Sequence, residues 1–485
     1  MDFVYLRRGA AALALGGIIG GGVWAQDTCE PVERQSATEK LIRLVDEDDG
    51  LKTALTGSIA LGQLVNSDPK TNPVATLDDY YDFIDALVTY DPRNIDTTVW
   101  KGEQGFSTRI GMDGSNYCNW NILDLLSYSY FLVDRQLTTD PRGQIQFTED
   151  AFSQWLRNVA EEWGMFLETK ESARYVPEFT SDPYFGDWYC GAGSTEPTYE
   201  TFQDFFVREL CDDKFPAGSR PVEGFNDPLT VVSIGDSTSA GWWPISEDGR
   251  LITDYDTVAQ SGMLIKGKMY NDVHEFILGE PGETVLETFG SIDPSRFDGG
   301  TWTHQFLDVN NYHRLHVPVA GRIVYLRHFQ SAVRLKSGWK ADFGDQSPGY
   351  YDPRDTADWQ FGQTRMVIGM ETADHGLVVI SPMGMAQVSG IDRRDWVAEG
   401  AMAEKGWEFA NFKFGGSDFV VIFEEQADFV LTVPTVPVTP ESEPGAGVNY
   451  ELSLQGSRYG CFGGISTCST VPLTPPPSPK DQPRQ

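Results

Sequence analysis

Three short stretches of this chain hold the residue types that can move protons or form covalent bonds, and a fourth accompanies them. The first is Val231 to Gly241, VVSIGDSTSAG, a strand-like run ending in Gly235-Asp236-Ser237. Taken alone it has the form of a GDS-type esterase nucleophile block, with Ser237 attacking an ester. That chemistry needs a general base, normally a His from a D-x-x-H block. Asp374-His375 are adjacent, Asp272 and His274 are one residue apart, and Asn310-x-x-His313 lacks the carboxylate. A strand-to-turn junction capped by Asp236 is the plainer reading. The second stretch is Asn311 to Gly321, NYHRLHVPVAG, which places two of the chain's six histidines three residues apart. H-x-x-H could ligate zinc, but no H-E-x-x-H motif or C-x-x-C pair accompanies it, so no metal is expected. His274, His304, His328 and His375 are isolated and read as packed or polar structural residues. The third stretch is Lys413 to Glu424, KFGGSDFVVIFE. By local pattern it is a hairpin turn entering a strand. Its glycines also allow backbone shapes that a Cβ forbids, which would let Ser417 Oγ attack the Gly416 carbonyl. The fourth, Phe205 to Pro221, FFVRELCDDKFPAGSRP, has no catalytic reading of its own.

Taken together and in order, these stretches resemble the phosphatidylserine decarboxylase family. The counterparts of its blocks are Phe206-Val207-Arg208-Glu209-Leu210 with Arg220-Pro221, Ser233-Ile234-Gly235-Asp236-Ser237, and Lys266-Gly267-Lys268-Met269-Tyr270. Tyr312-His313-Arg314-Leu315-His316-Val317-Pro318 and Gly415-Gly416-Ser417 complete the set. The histidine block is the most specific. The region before residue 200 is similar to the extension of relatives that act on free amino acids, including tryptophan decarboxylases. Two departures stand out. Asp418 occupies the position of a Thr or Ser, which adds a carboxylate beside a developing oxyanion. Ser-Ile-Gly-Asp replaces Ser-Pro-Ala-Asp.

The resemblance implies self-cleavage between Gly416 and Ser417. Asp236 would orient His316, His316 would take the Ser417 proton, and residue 417 would end as a pyruvoyl cofactor. His313 would hold the substrate carboxylate or supply the proton that replaces CO2. Arg314 would either place an anionic group or form an ordinary ion pair. The substrate implied is phosphatidylserine or a related amino-acid amine, bound through a Schiff base, with the processed α and β chains staying associated. Phosphatidylserine would bring peripheral membrane contact. An esterase using Ser237 and an unprocessed, non-catalytic relative are the competing classes.

The elements that must position these residues divide the chain. From about Thr38 to Phe206 apolar residues recur three and four apart, as in Asp78 to Thr89, Asn121 to Leu137 and Glu149 to Thr169, predicting helices. From about Pro228 the runs shorten and become β-branched or aromatic. Leu229–Val232, Arg322–Leu326, Gly376–Ile380 and Asp418–Phe423 predict strands. The expected class is α+β. A helical extension over 26–200 leads into a β-rich catalytic domain over 201–433, and a Pro- and Ser-rich tail over 434–485 follows, its end from Pro472 extended.

Composition bounds the rest. The chain has 485 residues, with 37 Lys+Arg against 71 Asp+Glu, a net charge of −34. That balance opposes binding to a phosphate backbone, so no nucleic acid is expected as a partner. Residues 1–25 read as a secretory signal: Arg7 and Arg8, an apolar small-residue run, and small residues Val23 and Ala25 before Gln26. Six cysteines behind such a leader predict an oxidising, extracytoplasmic location and up to three disulfides, with Cys461 and Cys468 near enough to close a small loop.

Overall fold

A computed structural model describes residues 33–94, 120–139, 143–181, 189, 199–211, 213–215, 218–252, 264–265, 268–269, 272–280, 283–307, 311–335, 337–340, 350–353, 363–384, 390–433, 452–468 and 473–474. The leader lies outside these residues, as do Cys29, Cys118 and Cys190, and Lys266, Gly267 and Tyr270 of the K-G-x-x-Y block.

The first part of the chain forms helices α1 (Ser36–Glu47), α2 (Asp49–Val65), α3 (Leu77–Leu87), α4 (Ile122–Phe131), α5 (Ile145–Thr148), α6 (Asp150–Leu167), α7 (Val176–Thr180) and α8 (Phe202–Phe206). Local chemistry sets several starts. Thr76 and Asp79 form a reciprocal capping box on α3, and Thr201 and Asp204 form another on α8. Helix α4 is apolar almost all round and correspondingly buried on every side. It stops at Phe131, short of the Leu137 that its periodicity predicts. Asp134 instead accepts from Ser337 N and Gln146 Nε2, and Arg135 reaches the Phe131 and Ser337 carbonyls. Buried polar groups that must find partners override the helical pattern here.

The second part is β-rich, with β1 (Thr230–Val232), β2 (Ser237–Pro244), β3 (Thr284–Gly290), β4 (Thr301–Leu307), β5 (Arg314–His316), β6 (Gly321–Gln330), β7 (Thr364–Glu371) and β8 (Leu377–Gly384). There follow β9 (Met402–Ala403), β10 (Glu408–Phe412), β11 (Ser417–Phe423), β12 (Leu452–Ser453) and β13 (Arg458–Cys461). A nine-stranded antiparallel sheet runs β9-β6-β7-β8-β11-β4-β2-β12, with β3 also paired to β6. Strand β11 is central and buried along its whole length. Phe419, Val421 and Phe423 enter the main core, whereas Val420 and Ile422 enter a second core on the other face. That two-sided burial is why its sequence is a continuous apolar run rather than an alternating one. A smaller sheet joins Ile391–Arg393, β10 and β5, and another joins Val430–Leu431, β13 and β1. The α+β expectation therefore holds.

Two features bear on the expected domain limits. Segments of the Pro- and Ser-rich tail pair with strands of the preceding domain. Strand β12 pairs with Ser237 and Thr238, β13 pairs with β1, and Leu473–Thr474 pair with Val222–Glu223. The pairing segments are two to four residues long, too short to show a period against the Pro and Ser around them. Cys461 and Cys468 are joined as a disulfide. The helices, secondly, do not form a core separate from the sheet. One hydrophobic cluster runs from Ala37 to Phe462. Trp163 of α6 packs edge-on against Phe414, with ring centroids 5.1 Å apart, and Tyr130 Oη donates to the Val333 carbonyl.

A shared core makes a prediction. Trp163→Ala should cost about 3–5 kcal/mol and leave one unfolding transition, seen by both far-ultraviolet dichroism and tryptophan fluorescence in urea. Two separate transitions in the wild type would contradict a common core.

Candidate active site

Strand pairing brings the four expected site residues to one end of the large sheet. Ser417, the first residue of β11, is opposite Leu307 of β4 and Gly384 of β8. Next to it, Asp418 is opposite Phe306, which is in turn opposite Thr238 of β2. The end of β2, with Asp236 and Ser237, is thus two strands away from Ser417, about 10 Å at ordinary strand spacing. The histidine block runs alongside the same turn. His316 N donates to the Ile234 carbonyl at 2.8 Å, and Val232 N donates to that of Pro318 at 3.0 Å. Gly235 faces the side chains of Leu307 and Leu315. Strand β5 pairs with β10, and β10 leads through Lys413 to Gly416 into Ser417. Gly415 turns the chain with φ 145°, a value that disfavours a Cβ.

Asp236, His313, His316 and Ser417 are all buried. Ser417 Oγ has no hydrogen-bond partner among the described residues, and neither has His313 Nε2. His313 Nδ1 donates to the Asn311 carbonyl at 3.0 Å, and its ring stacks on Phe206 with centroids 3.7 Å apart. His316 Nδ1 donates to the Gly406 carbonyl at 2.7 Å. Its Nε2 lone pair is therefore exposed to Tyr312 Oη, 3.0 Å away. Burial is the main reason that His316 titrates far below an ordinary imidazole, at about 3. Arg220 and Arg314 add to the effect, while the Gly406 hydrogen bond and Asp236 oppose it. Burial, helped by the Arg208 charge, also pushes His313 well down. Both imidazoles are neutral at neutral pH, the state a proton acceptor must start from.

The expected contact between Asp236 and His316 is not made. The Arg220 guanidinium grips both Asp236 oxygens, at 2.6 and 2.9 Å. Tyr189 Oη donates to Oδ2 at 3.2 Å, and Gln455 N donates to Oδ1 at 2.9 Å. A planar fork matches two carboxylate oxygens better than one imidazole N–H can. Asp236 acts on His316 through space, and Gly406 and Tyr312 set the ring's orientation. The direct contact from Ser417 to His316 is likewise not made in this structure. Arg314 is committed to Glu408 at 3.0 Å, to Glu209 at 3.1 Å and to the Val207 carbonyl at 2.7 Å, so it ties β5 to its neighbours. Ser237 is buried, with Oγ 3.4 Å from both the Gly235 carbonyl and Gln305 Oε1. No histidine bonds to it, so the esterase arrangement is not assembled.

Several residues were not assigned roles by sequence reasoning. Lys405 buries its ammonium against the carbonyls of Gly224, Asp227 and Thr230, at 2.8, 2.8 and 2.6 Å. It thereby pins the turn whose next carbonyl, that of Gly406, orients His316. Burial lowers the Lys405 pKa to about 8. Arg220 and Tyr312 lay within recognised blocks, and their neighbours drew attention first. Tyr189 and Gln455 carried no local signal. Gln455 also accepts from Arg220 N and donates to Ser219 Oγ, so a stretch read as tail completes the Asp236 cage.

The phosphatidylserine decarboxylase family model matches residues 202–439, and over these residues the chain is similar to that family. Similar proteins include phosphatidylserine decarboxylase proenzyme 2 of Oryza sativa subsp. japonica, 25% identical over 56% of this chain and 37% of that protein. The L-tryptophan decarboxylase of Psilocybe cyanescens is 24% identical over 60% of this chain and 66% of its own length. The phosphatidylserine decarboxylase proenzyme of Shewanella amazonensis (strain ATCC BAA-1098 / SB2B) is 26% identical over 52% of this chain and 80% of its own. The chain thus spans just over a third of the rice protein and just under two thirds of the mushroom one.

The buried neutral histidines set a pH dependence. Their folded pKa values lie below the unfolded value, so below about pH 6.5 the unfolded chain binds protons that the folded chain refuses. Stability should therefore fall as pH drops from about 6.5 towards 3, by a few kcal/mol in total. His316→Gln, which removes one of these titrations, should flatten that acid limb in urea melts at about pH 7 and about pH 4. An unchanged slope would mean that His316 titrates normally.

Proposed function

We propose that this chain is a pyruvoyl-dependent decarboxylase that makes its own cofactor by cutting itself between Gly416 and Ser417. The observation that carries the proposal is Ser417 Oγ itself. It is a buried hydroxyl without a hydrogen-bond partner among the described residues, directly after the Gly415 turn, in a site holding two neutral histidines. A buried unsatisfied polar atom calls for a role beyond packing.

The chain's own atoms balance through the cut. Ser417 Oγ adds to the Gly416 carbonyl carbon while a histidine takes its proton. The Gly416–Ser417 amide bond breaks, the amino nitrogen is protonated, and an ester joins Gly416 to Ser417 Oγ. Loss of the Cα proton then expels the Gly416 carboxylate, and hydrolysis of the resulting enamine releases ammonia. The residue left at position 417 fits the space that Ser417 occupies, held by Leu307 and Gly384 on either side. That group supplies a ketone conjugated to an amide, an electron sink for the pair released as CO2 departs. His313 Nε2 remains open to hold the substrate carboxylate or to return a proton.

The substrate we infer is phosphatidylserine, whose amine lies α to the carboxylate it would lose. A free aromatic amino acid is the second reading. It is favoured by matches to proteins named L-tryptophan decarboxylase over 312 and 322 residues, which extend beyond the family-matched region. The Cys461–Cys468 disulfide supports the oxidising, extracytoplasmic location that we also propose.

Intact-mass measurement under denaturing conditions tests the cut. Wild type should give two polypeptides, the smaller being residues 417–485, 69 residues long with a blocked first residue. Ser417→Ala should give one unbroken chain. His313→Ala should still cut yet lose about a hundred- to ten-thousand-fold in CO2 release. Release from phosphatidylserine vesicles against release from tryptophan decides between the substrates. A single chain with an ordinary serine at 417 would end the proposal.

A further inference from the structure

The strand that begins at Ser417 carries a second polar device on its opposite face. Side chains alternate along a strand, so Ser417 is aligned with Phe419 and Val421 towards the main core. Asp418 is aligned with Val420 and Ile422 towards the second core, opposite Met383 of β8. There the Asp418 carboxylate pairs with His304 Nε2 of the neighbouring strand β4, and both side chains are almost fully buried. His304 is opposite Val420, so the pair is a diagonal one, within reach of an imidazole. On its other side, β2 is bulged between Ser239 and Gly241, which puts a glycine with φ 138° opposite His304. A bulge re-aims side chains, and a glycine there removes one. The feature is thus built from three strands. It also resolves the concern raised by the extra carboxylate: Asp418 is turned away from the face on which Ser417 Oγ lies, and its partner is a histidine.

Resting on the proposed self-cleavage, we infer that His304 and Asp418 form a cross-strand clamp that holds the newly cut chain end in place. Before the cut, residue 417 is fixed by the covalent link to Gly416 and by its strand neighbours. After it, the covalent tether is gone, and 417 becomes the terminal group of a central strand. Strand ends fray unless side chains secure them. Asp418 is the first residue behind that end with a side chain to secure, and its partner belongs to the other polypeptide. His304 is accordingly a positioning residue, acting on the reactive group through Asp418. It does not touch the substrate.

The test uses the full chain carrying His304→Phe, with Asp418→Asn as a milder second variant that preserves shape. Three quantities are read on each two-chain product: hydrogen exchange at the amides of residues 418–420, the rate at which a small hydrazide labels residue 417, and kcat and KM for CO2 release. The expected result is cleavage in both variants, with at least tenfold faster exchange at 418–420. Faster hydrazide labelling and a kcat at least tenfold lower at little-changed KM should accompany it. Asp418→Asn should be the less affected of the two. Should His304→Phe not fold, the same exchange and kcat changes in Asp418→Asn carry the inference. Cut variants with wild-type exchange, labelling and kcat overturn the clamp and leave the decarboxylase reading standing. An uncut wild type overturns the decarboxylase reading, and the clamp with it.

Discussion

Everything at the site depends on the ladder that holds β11 between β4 and β8. A strand paired on both sides and buried on both faces has no freedom to slide, because a one-residue slip would exchange its two faces. Here the slip would put Phe419 where Val420 packs and would move Ser417 to the face that Asp418 now occupies. The register is therefore enforced by two cores at once. The attack proposed for the Ser417 hydroxyl on its own preceding carbonyl would gain from such enforcement, since small misplacements cost large factors in rate.

Around that strand the chain gathers polar groups that could not be buried singly. Asp236 is tolerated in the interior because Arg220, Tyr189 and Gln455 satisfy it, and Arg220 because Asp236 does. Removing one partner of such a pair leaves an uncompensated charge, commonly a loss of about 3–5 kcal/mol. The cage joins segments that are far apart in sequence: the stretch before α8, the R-P block, the β1–β2 turn and the β12–β13 turn. Lys405 does similar work with three carbonyls, and by fixing one turn it sets the tautomer of His316. The histidines stay neutral because water is excluded, and the same exclusion would protect a reactive ketone.

The helices contribute to this exclusion. Phe206 of α8 stacks on His313 and meets Phe414, which also touches Trp163 of α6. An aromatic chain therefore runs from the helical region to the residue two positions before Gly416. Phe414 N is tied to Gln203 Oε1 of α8. The glycine junction is thereby held from the helical side as well as from the sheet.

Much of this was legible in the residues alone. The spacing of Tyr312-His313-Arg314-Leu315-His316 and the Gly415-Gly416-Ser417 junction pointed to the family, because histidines are scarce in this chain and the order of the blocks is restrictive. Helices α3, α4 and α6 and the strand at β11 followed from periodicity and apolar runs. What pairs with what was not legible. A carboxylate three residues from a serine gives no sign that an arginine sixteen residues earlier will claim it. A Gln-Gly-Ser turn among prolines gives no sign that it closes the cage. Sequence by itself determined which groups could react. Only the tertiary structure decided which carboxylate answers to which cation, and which face of β11 each polar side chain takes, since those outcomes are set by long-range pairing that leaves no local trace.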